Sequence, residues 1–289
     1  MYGRLTISVV CLVLMAGTVH AADVAPFFPF CIDTHDAKKR TLDEQAKMLK
    51  ELGYAGVGHL WLDNIPERLK TLDAQGLKLY QITLRVDLNP EKEPYDKAKL
   101  KETLPLLKDR HVQILFLITG MKSSDEAGDA RAVEIVREAA DWAKDSGTEI
   151  LLYPHTGDWI ERIEDAVRVA KKVDRPNVGV MFNLCHWLKV DGKQDVRGLL
   201  TMALPYLRAV SIHGADTPES IHAGTGNWIQ PLGQGSYDVY GLLNILKEIG
   251  YRGPVGLQCW GIPGDVREHL GQSIAAWRAM NERLATGAK

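Results

Sequence analysis

Short runs of apolar and β-branched residues recur along the chain, separated by amphipathic stretches. They lie at 27–33, 55–60, 77–84, 112–119, 148–153, 178–182, 209–213 and 255–259. Such runs, bounded by turn residues, predict buried strands, and the stretches between them predict helices. Thr41-Leu42-Asp43-Glu44 opens one helix: a threonine hydroxyl caps the free N–H groups while the glutamate three residues on reaches back. That helix is expected to end at Gly53. Gly76, Gly147 and Gly250 fall just past other helix patterns, where a left-handed residue closes the last turn. A helix over 130–146 is expected to bury a stripe through Val133, Val136, Ala140 and Ala143.

Strand and helix in strict alternation, joined by right-handed crossovers, give a parallel sheet. Eight units in this length match one closed (β/α)8 TIM barrel, an α/β fold. The rival is an open, doubly wound sheet. Its dinucleotide-binding version needs G-x-G-x-x-G after the first strand, whereas this chain has Asp33-Thr34-His35-Asp36 there. No nucleotide cofactor is expected. No linker or low-complexity tract divides the chain.

Barrel enzymes work at the carboxyl ends of their strands, where the following loops converge. At these ends stand His35, His59, Arg85, His155, Asn183 with His186, His213 with Asp216, and Gln258. A lone histidine is most often structural, but several on one rim point to shared chemistry. Tryptophan follows the same pattern: Trp61, Trp159, Trp187, Trp228 and Trp260 come after strands, while Trp142 and Trp277 fit helix faces. An indole offers a flat apolar face and one N–H, which suits the C–H face of a sugar; the same rings also serve to staple loops onto a barrel.

Composition narrows the setting. The 289 residues include 35 Lys+Arg and 37 Asp+Glu, a formal charge of -2, with 45% hydrophobic residues. Disordered and disulfide-stapled classes are excluded, and nothing in this balance would gather a nucleic acid. Arg4, an apolar run over 5–17 and the small residues of Val19-His20-Ala21 predict a signal peptide over 1–21. A barrel domain over 22–289 is then exported to the periplasm or beyond, with no membrane attachment once the signal is removed. Cleavage would leave Cys31, Cys185 and Cys259, an odd number without C-x-x-C spacing. They are expected to be small buried residues.

Leu152-Tyr153-Pro154-His155, Pro176-Asn177-Val178-Gly179 with Asn183-Leu184-Cys185-His186, and His213-Gly214-Ala215-Asp216 resemble L-E-P-H, P-N-V-G…D-x-x-H and H-x-x-D. Pro231-Leu232-Gly233-Gln234-Gly235 follows, then 246–258 as L-K-x-x-G-Y-x-G-x-V-x-x-E with Gln258 in the last place. In this order the segments resemble the xylose isomerase-like barrel superfamily of sugar phosphate isomerases and epimerases. The resemblance implies a divalent metal held by Glu, Asp, His and Glu. The matching residues are Tyr153, Asn183, His213 and Gln258, so only the histidine is kept.

Asn183, His213 and Gln258 are the remaining metal-ligand candidates, and His155 and His186 with His213 offer a nitrogen-rich set suited to a divalent transition metal. The two family glutamates that act as acid and base are also replaced, since Gln258 exchanges no proton and an ordinary tyrosine does so poorly. Proton transfer therefore falls to His155, His186 and Asp216. Substrate contacts fall to His59, Arg85, Tyr153, Trp187, Trp228 and Trp260.

The expected activity is isomerisation or epimerisation of a sugar or keto sugar, through proton transfer next to a carbonyl. A catalytically silent carbohydrate-binding barrel and a keto-sugar lyase are the alternatives. A nuclease conflicts with the signal peptide, the acidic balance and the reduced metal set. The segment 214–236 is long and Gly-rich, fitting either a lid or a static connector. Oligomeric state is not legible.

Overall fold

The computed structural model describes residues 25–287, so the expected signal peptide lies outside the described residues. Eight strands alternate with helices, beginning β1 (Phe27–Phe30), α1 (Leu42–Leu52), β2 (Gly56–Leu60), α2 (Ile65–Ala74), β3 (Lys78–Asp87), α3 (Lys97–Thr103), β4 (Gln113–Thr119) and α4 (Asp129–Ala143). The second half runs β5 (Glu149–Leu152), α5 (Ile163–Val173), β6 (Val178–Asn183), α6 (Leu184–Val190), α7 (Val196–Ala203) and β7 (Leu207–Ile212). It ends with α8 (Pro218–His222), α9 (Val239–Glu248), β8 (Val255–Gln258) and α10 (Val266–Thr286).

All strand pairs are parallel, in the order β1-β8-β7-β6-β5-β4-β3-β2. The remaining seam, β1 against β2, is nearly closed. The Ala55 N–H donates to the Phe27 carbonyl at 3.0 Å. Gly58 carries no side chain where a Cβ would meet the Phe30 Cβ at 2.6 Å, so glycine permits the close approach. The result is a (β/α)8 barrel, as the eightfold alternation predicts.

Burial divides the apolar residues into two cores. A large one fills the shell between strands and helices. It includes Phe27, on which Trp277 of α10 stacks at 4.2 Å and 8°, tying the last helix to the first strand. A smaller one fills the barrel itself, with Phe30, Leu115, Leu117, Leu151, Tyr153, Met181 and Ala209 among its members. The alternation of inward and outward side chains along each strand separates the two. The inner plug ends at Tyr153, so the polar residues that follow the strands sit above an apolar floor.

Local signals account for the helix ends. Thr41 and Glu44 form the expected capping box, and Gly53 closes α1 at φ 85°. α4 spans the expected stretch, but its buried face is set by Ala132, Ile135, Val136, Ala139, Ala140 and Ala143, and Val133 is only half-buried. Cys31, Cys185 and Cys259 are free and buried. No helix among the described residues is long and apolar enough to cross a membrane.

Candidate active site

The carboxyl ends of β5, β6, β7 and β8 bring Tyr153, Asn183, His213 and Gln258 together at the barrel mouth. All four are buried. Asn183 is the hub. It caps α6, its Oδ1 accepting from the His186 N–H at 3.2 Å. That bond turns the amide nitrogen inward, where it donates to Tyr153 Oη at 2.6 Å and to Gln258 Oε1 at 2.8 Å. Burial pushes the Tyr153 hydroxyl well above its ordinary pKa, so this residue is neutral and a poor base.

His213 is wholly buried. Its Nδ1 lies 2.9 Å from the Gly214 carbonyl, which can only accept, so Nδ1 carries the proton. Nε2 is then a bare lone pair, and it has no partner. Burial lowers the pKa of His213 to about 4, and the ring is neutral. His186, on the first turn of α6, shows the opposite tautomer. Its Nδ1 accepts from the Thr156 N–H at 3.3 Å, which leaves Nε2–H as a buried donor without a partner. Burial holds its pKa well below the usual histidine value. One orphaned acceptor and one orphaned donor in the same mouth suit a hydroxyl, which can answer both.

His155 follows β5 and packs against His186, with ring centroids 4.0 Å apart and the planes tilted by 43°. Its Nδ1 lies 3.5 Å from Asp158 Oδ2, a close contact that is not a hydrogen bond here, since both atoms are buried without a hydrogen-bond partner. Burial lowers the pKa of His155 and raises that of Asp158. Arg85 stands 3.9 Å from the other Asp158 oxygen, its side chain 53% exposed. β3 runs on to Asp87, so Arg85 lies within the strand and not at its end. Sequence reasoning misses Asp158. The available signal is its spacing, since His155-x-x-Asp158 repeats His213-x-x-Asp216.

Several expected site residues have other partners. Asp216 staples the following loop, accepting from the Asn227 N–H at 3.0 Å, Gln230 Nε2 at 2.7 Å, the Ser236 N–H at 3.0 Å and Ser236 Oγ at 3.1 Å. These donors, the Asn227 N–H foremost, lower its pKa. The segment 214–236 is thereby a tied connector, with Gly214 bridged to Gln230.

His59 borders a surface hollow of about 360 Å³ with Trp61 and Asp33. Both its nitrogens are nevertheless spoken for. Nδ1 accepts from Arg68 Nε at 3.2 Å, and Nε2 donates to the Asp63 carbonyl at 2.7 Å. Trp187 is 8% exposed and packs between Phe182 and Tyr237, so it belongs to the core and not to a sugar platform. Trp228 is half-buried beside His222. Trp159 is fully buried, its indole N–H tied to the Asp125 carbonyl. Of the three tryptophans expected to contact substrate, Trp260 alone is broadly exposed, at 50%, edge-on to His35.

A divalent metal at the four family positions does not fit these donors. Among the described residues, no three His, Cys, Asp or Glu side chains converge to hold one. The expected His155, His186 and His213 set offers no three converging lone pairs among the described residues: His186 Nδ1 already accepts from Thr156, so its Nε2 carries the proton, and the His155 and His186 rings meet at a 43° tilt. Of the four family positions, Asn183 presents its nitrogen, Gln258 Oε1 already accepts from it, and His213 Nε2 is the one nitrogen lone pair left without a partner.

The fold and this mouth define a (β/α)8 barrel with its polar residues gathered at the carboxyl ends of the strands. The xylose isomerase-like TIM barrel family matches residues 29–280, and the chain belongs to that family. No curated protein matches it by sequence. Solved structures are similar. The apo form of 3-keto-D-glucoside 4-epimerase from E. coli has TM-score 0.71 and 16% identity, over 89% of this chain and 100% of that one. D-psicose 3-epimerase from Clostridium cellulolyticum H10, with D-tagatose, has TM-score 0.67 and 18% identity, over 89% and 98%. A xylose isomerase-like barrel protein from Mycobacterium smegmatis, in complex with magnesium, has TM-score 0.67 and 18% identity, over 93% and 99%.

Proposed function

We propose that this barrel acts on a sugar or keto sugar by moving a proton next to a carbonyl, as an isomerase or epimerase. His155, positioned by Asp158, is the group that takes and returns the proton. The observation carrying this is the pair itself: an imidazole kept neutral by burial, one nitrogen facing a carboxylate at 3.5 Å, partly open at the mouth. A neutral imidazole is a competent base near neutral pH, and the carboxylate stabilises the imidazolium that forms. The unpartnered nitrogens of His186 and His213 would seat a substrate hydroxyl beside it. No step passes through a metal.

The sugar epimerases among the similar structures support the substrate class. The test is exchange of carbon-bound hydrogen in a panel of keto sugars in D2O, followed by NMR with chelator present. Exchange lost in His155→Ala is expected; absence of exchange and of conversion in every sugar overturns the proposal.

The neutral Tyr153–Asn183–Gln258 set favours a second reading, a carbohydrate-binding barrel without turnover. Saturable sugar binding in the absence of any exchange would select it. Export is proposed from residues 1–21. Processing after Ala21, read by N-terminal sequencing of protein from a periplasmic fraction, tests it.

A further inference from the structure

We infer that the mouth of this barrel excludes a divalent cation actively, by an amide nitrogen locked into the centre of the ligand positions. The lock is helix α6. Asn183 is its N-cap, and an N-cap must offer an acceptor to the free N–H groups of the first turn. Its Oδ1 does so, to the His186 N–H at 3.2 Å. Turning the amide over would set an NH2 group against that N–H and strip the cap, which alone predicts a clear loss of helix stability. The nitrogen therefore faces inward, and both of its hydrogens are committed, to Tyr153 Oη at 2.6 Å and Gln258 Oε1 at 2.8 Å.

The three residues standing where carboxylates would bind a metal thus bind one another. The hub presents the positive end of an amide dipole where a dication would have to sit. For a cation to coordinate through Asn183, the amide would have to turn over, breaking the cap and both hydrogen bonds; Gln258 could offer only the second lone pair of an oxygen that already accepts from the Asn183 NH2, beside that positive group. The cation would gain no negative charge in return, because Tyr153, Asn183 and Gln258 are neutral. Hard dications take oxygen ligands that usually include carboxylates, and zinc sites need three or four donors. His213 Nε2 supplies one. Lys189, which lowers the pKa of His186 after burial and His155 have done so, adds positive charge nearby.

The inference concerns metal binding and stands or falls apart from the reaction proposed above. The test is Mn2+ binding, read by loss of the free-ion EPR signal, with Zn2+ competition, on chelator-stripped protein. Wild type is expected to show no saturable site. Asn183→Asp retains an N-cap acceptor of similar shape and turns the hub from donor to acceptor. Together with Gln258→Glu it is expected to create one saturable Mn2+ site per chain where wild type shows none, as two added carboxylates should give, and lost again when His213→Ala is added. Circular dichroism establishes that each variant is folded, and Asn183→Asp alone, the least intrusive change, is expected to show measurable Mn2+ binding. One Mn2+ or Zn2+ bound per wild-type chain and released by His213→Ala overturns the inference. So does a folded double variant that takes up no metal.

Discussion

The same four-residue spacing occurs twice at the barrel mouth, and the two copies do opposite things. After β5, His155-Thr156-Gly157-Asp158 turns the carboxylate back to 3.5 Å from its own histidine. After β7, His213-Gly214-Ala215-Asp216 sends the carboxylate outward, into four hydrogen bonds with 227–236. The Gly214 carbonyl takes the aspartate's place at His213 Nδ1. A carbonyl fixes a tautomer without supplying charge; a carboxylate 3.5 Å away supplies charge that stabilises the protonated ring. The first pair is equipped to move a proton, and the second to hold a loop and offer a lone pair.

The largest separation is expected between His155→Ala and Asp216→Asn. General acid–base groups contribute about 10²–10⁴-fold. His155→Ala should therefore slow carbon–deuterium exchange by at least about a hundredfold with its melting temperature little changed. Asp216→Asn should keep most of the exchange rate, and amide hydrogen exchange should quicken within 227–236. A larger catalytic loss in the Asp216 variant than in the His155 variant would reverse these roles.

The next effect comes from His213 being buried neutral. Its folded pKa is about 4, below the 6.5 of an unfolded histidine, so between these values the unfolded chain binds more protons. Its contribution is fully present above pH 6.5 and is lost as pH falls towards 4. His269, also lowered to about 4, acts in the same direction. Denaturant unfolding should show stability falling by a few kcal/mol over this window, given about 1.4 kcal/mol for each tenfold change in proton affinity. His213→Gln should remove part of that slope, which comes from the buried ring and not from Asp216. An unchanged slope would mean that His213 is protonated in the fold.

The barrel was legible because periodicity is a property of whole segments: eight apolar runs survive errors of two or three residues at their ends. The seam and the inner plug follow from the same alternation. Roles at the mouth were less legible, because they depend on which way single side chains turn. Asn183 looked like a metal ligand by position, yet its N-cap duty decides its orientation, and that duty follows from α6 beginning at Leu184. His59 looked like a rim residue, but the buried Arg68 claims one of its nitrogens and leaves none free. Trp187 stood after a strand like Trp260, but is one of the buried residues of α6. Asp158 is not legible because nothing in one sequence says whether an aspartate three residues after a histidine folds back to it.

Asp158→Asn sharpens the comparison further, at a smaller scale. The carboxylate raises the pKa of His155 against the lowering by burial. Removing its charge should move the acid limb of the pH–rate profile to lower pH and cost about tenfold in rate at neutral pH, less than the loss of the general base itself. A merely structural role for Asp158 would lower stability without moving that limb. Asp216→Asn, whose carboxylate faces its own loop rather than an imidazole, should leave the limb in place.

The smallest effect is expected at the outer edge of the mouth, on Trp260. Its ring is half exposed, touches His35 edge-on, and belongs to neither core. Removing it should leave melting temperature and the intrinsic exchange rate unaltered. Stacking of an aromatic ring is worth about 0.5–1.5 kcal/mol, so Trp260→Ala should weaken sugar binding by about twofold to tenfold, seen as a raised KM or a weaker calorimetric Kd. The loss should be larger for sugars with an unbroken C–H face than for acyclic polyols, because only the former present a flat surface to an indole. Equal losses for both would remove Trp260 from the site and confine recognition to His155, His186 and His213.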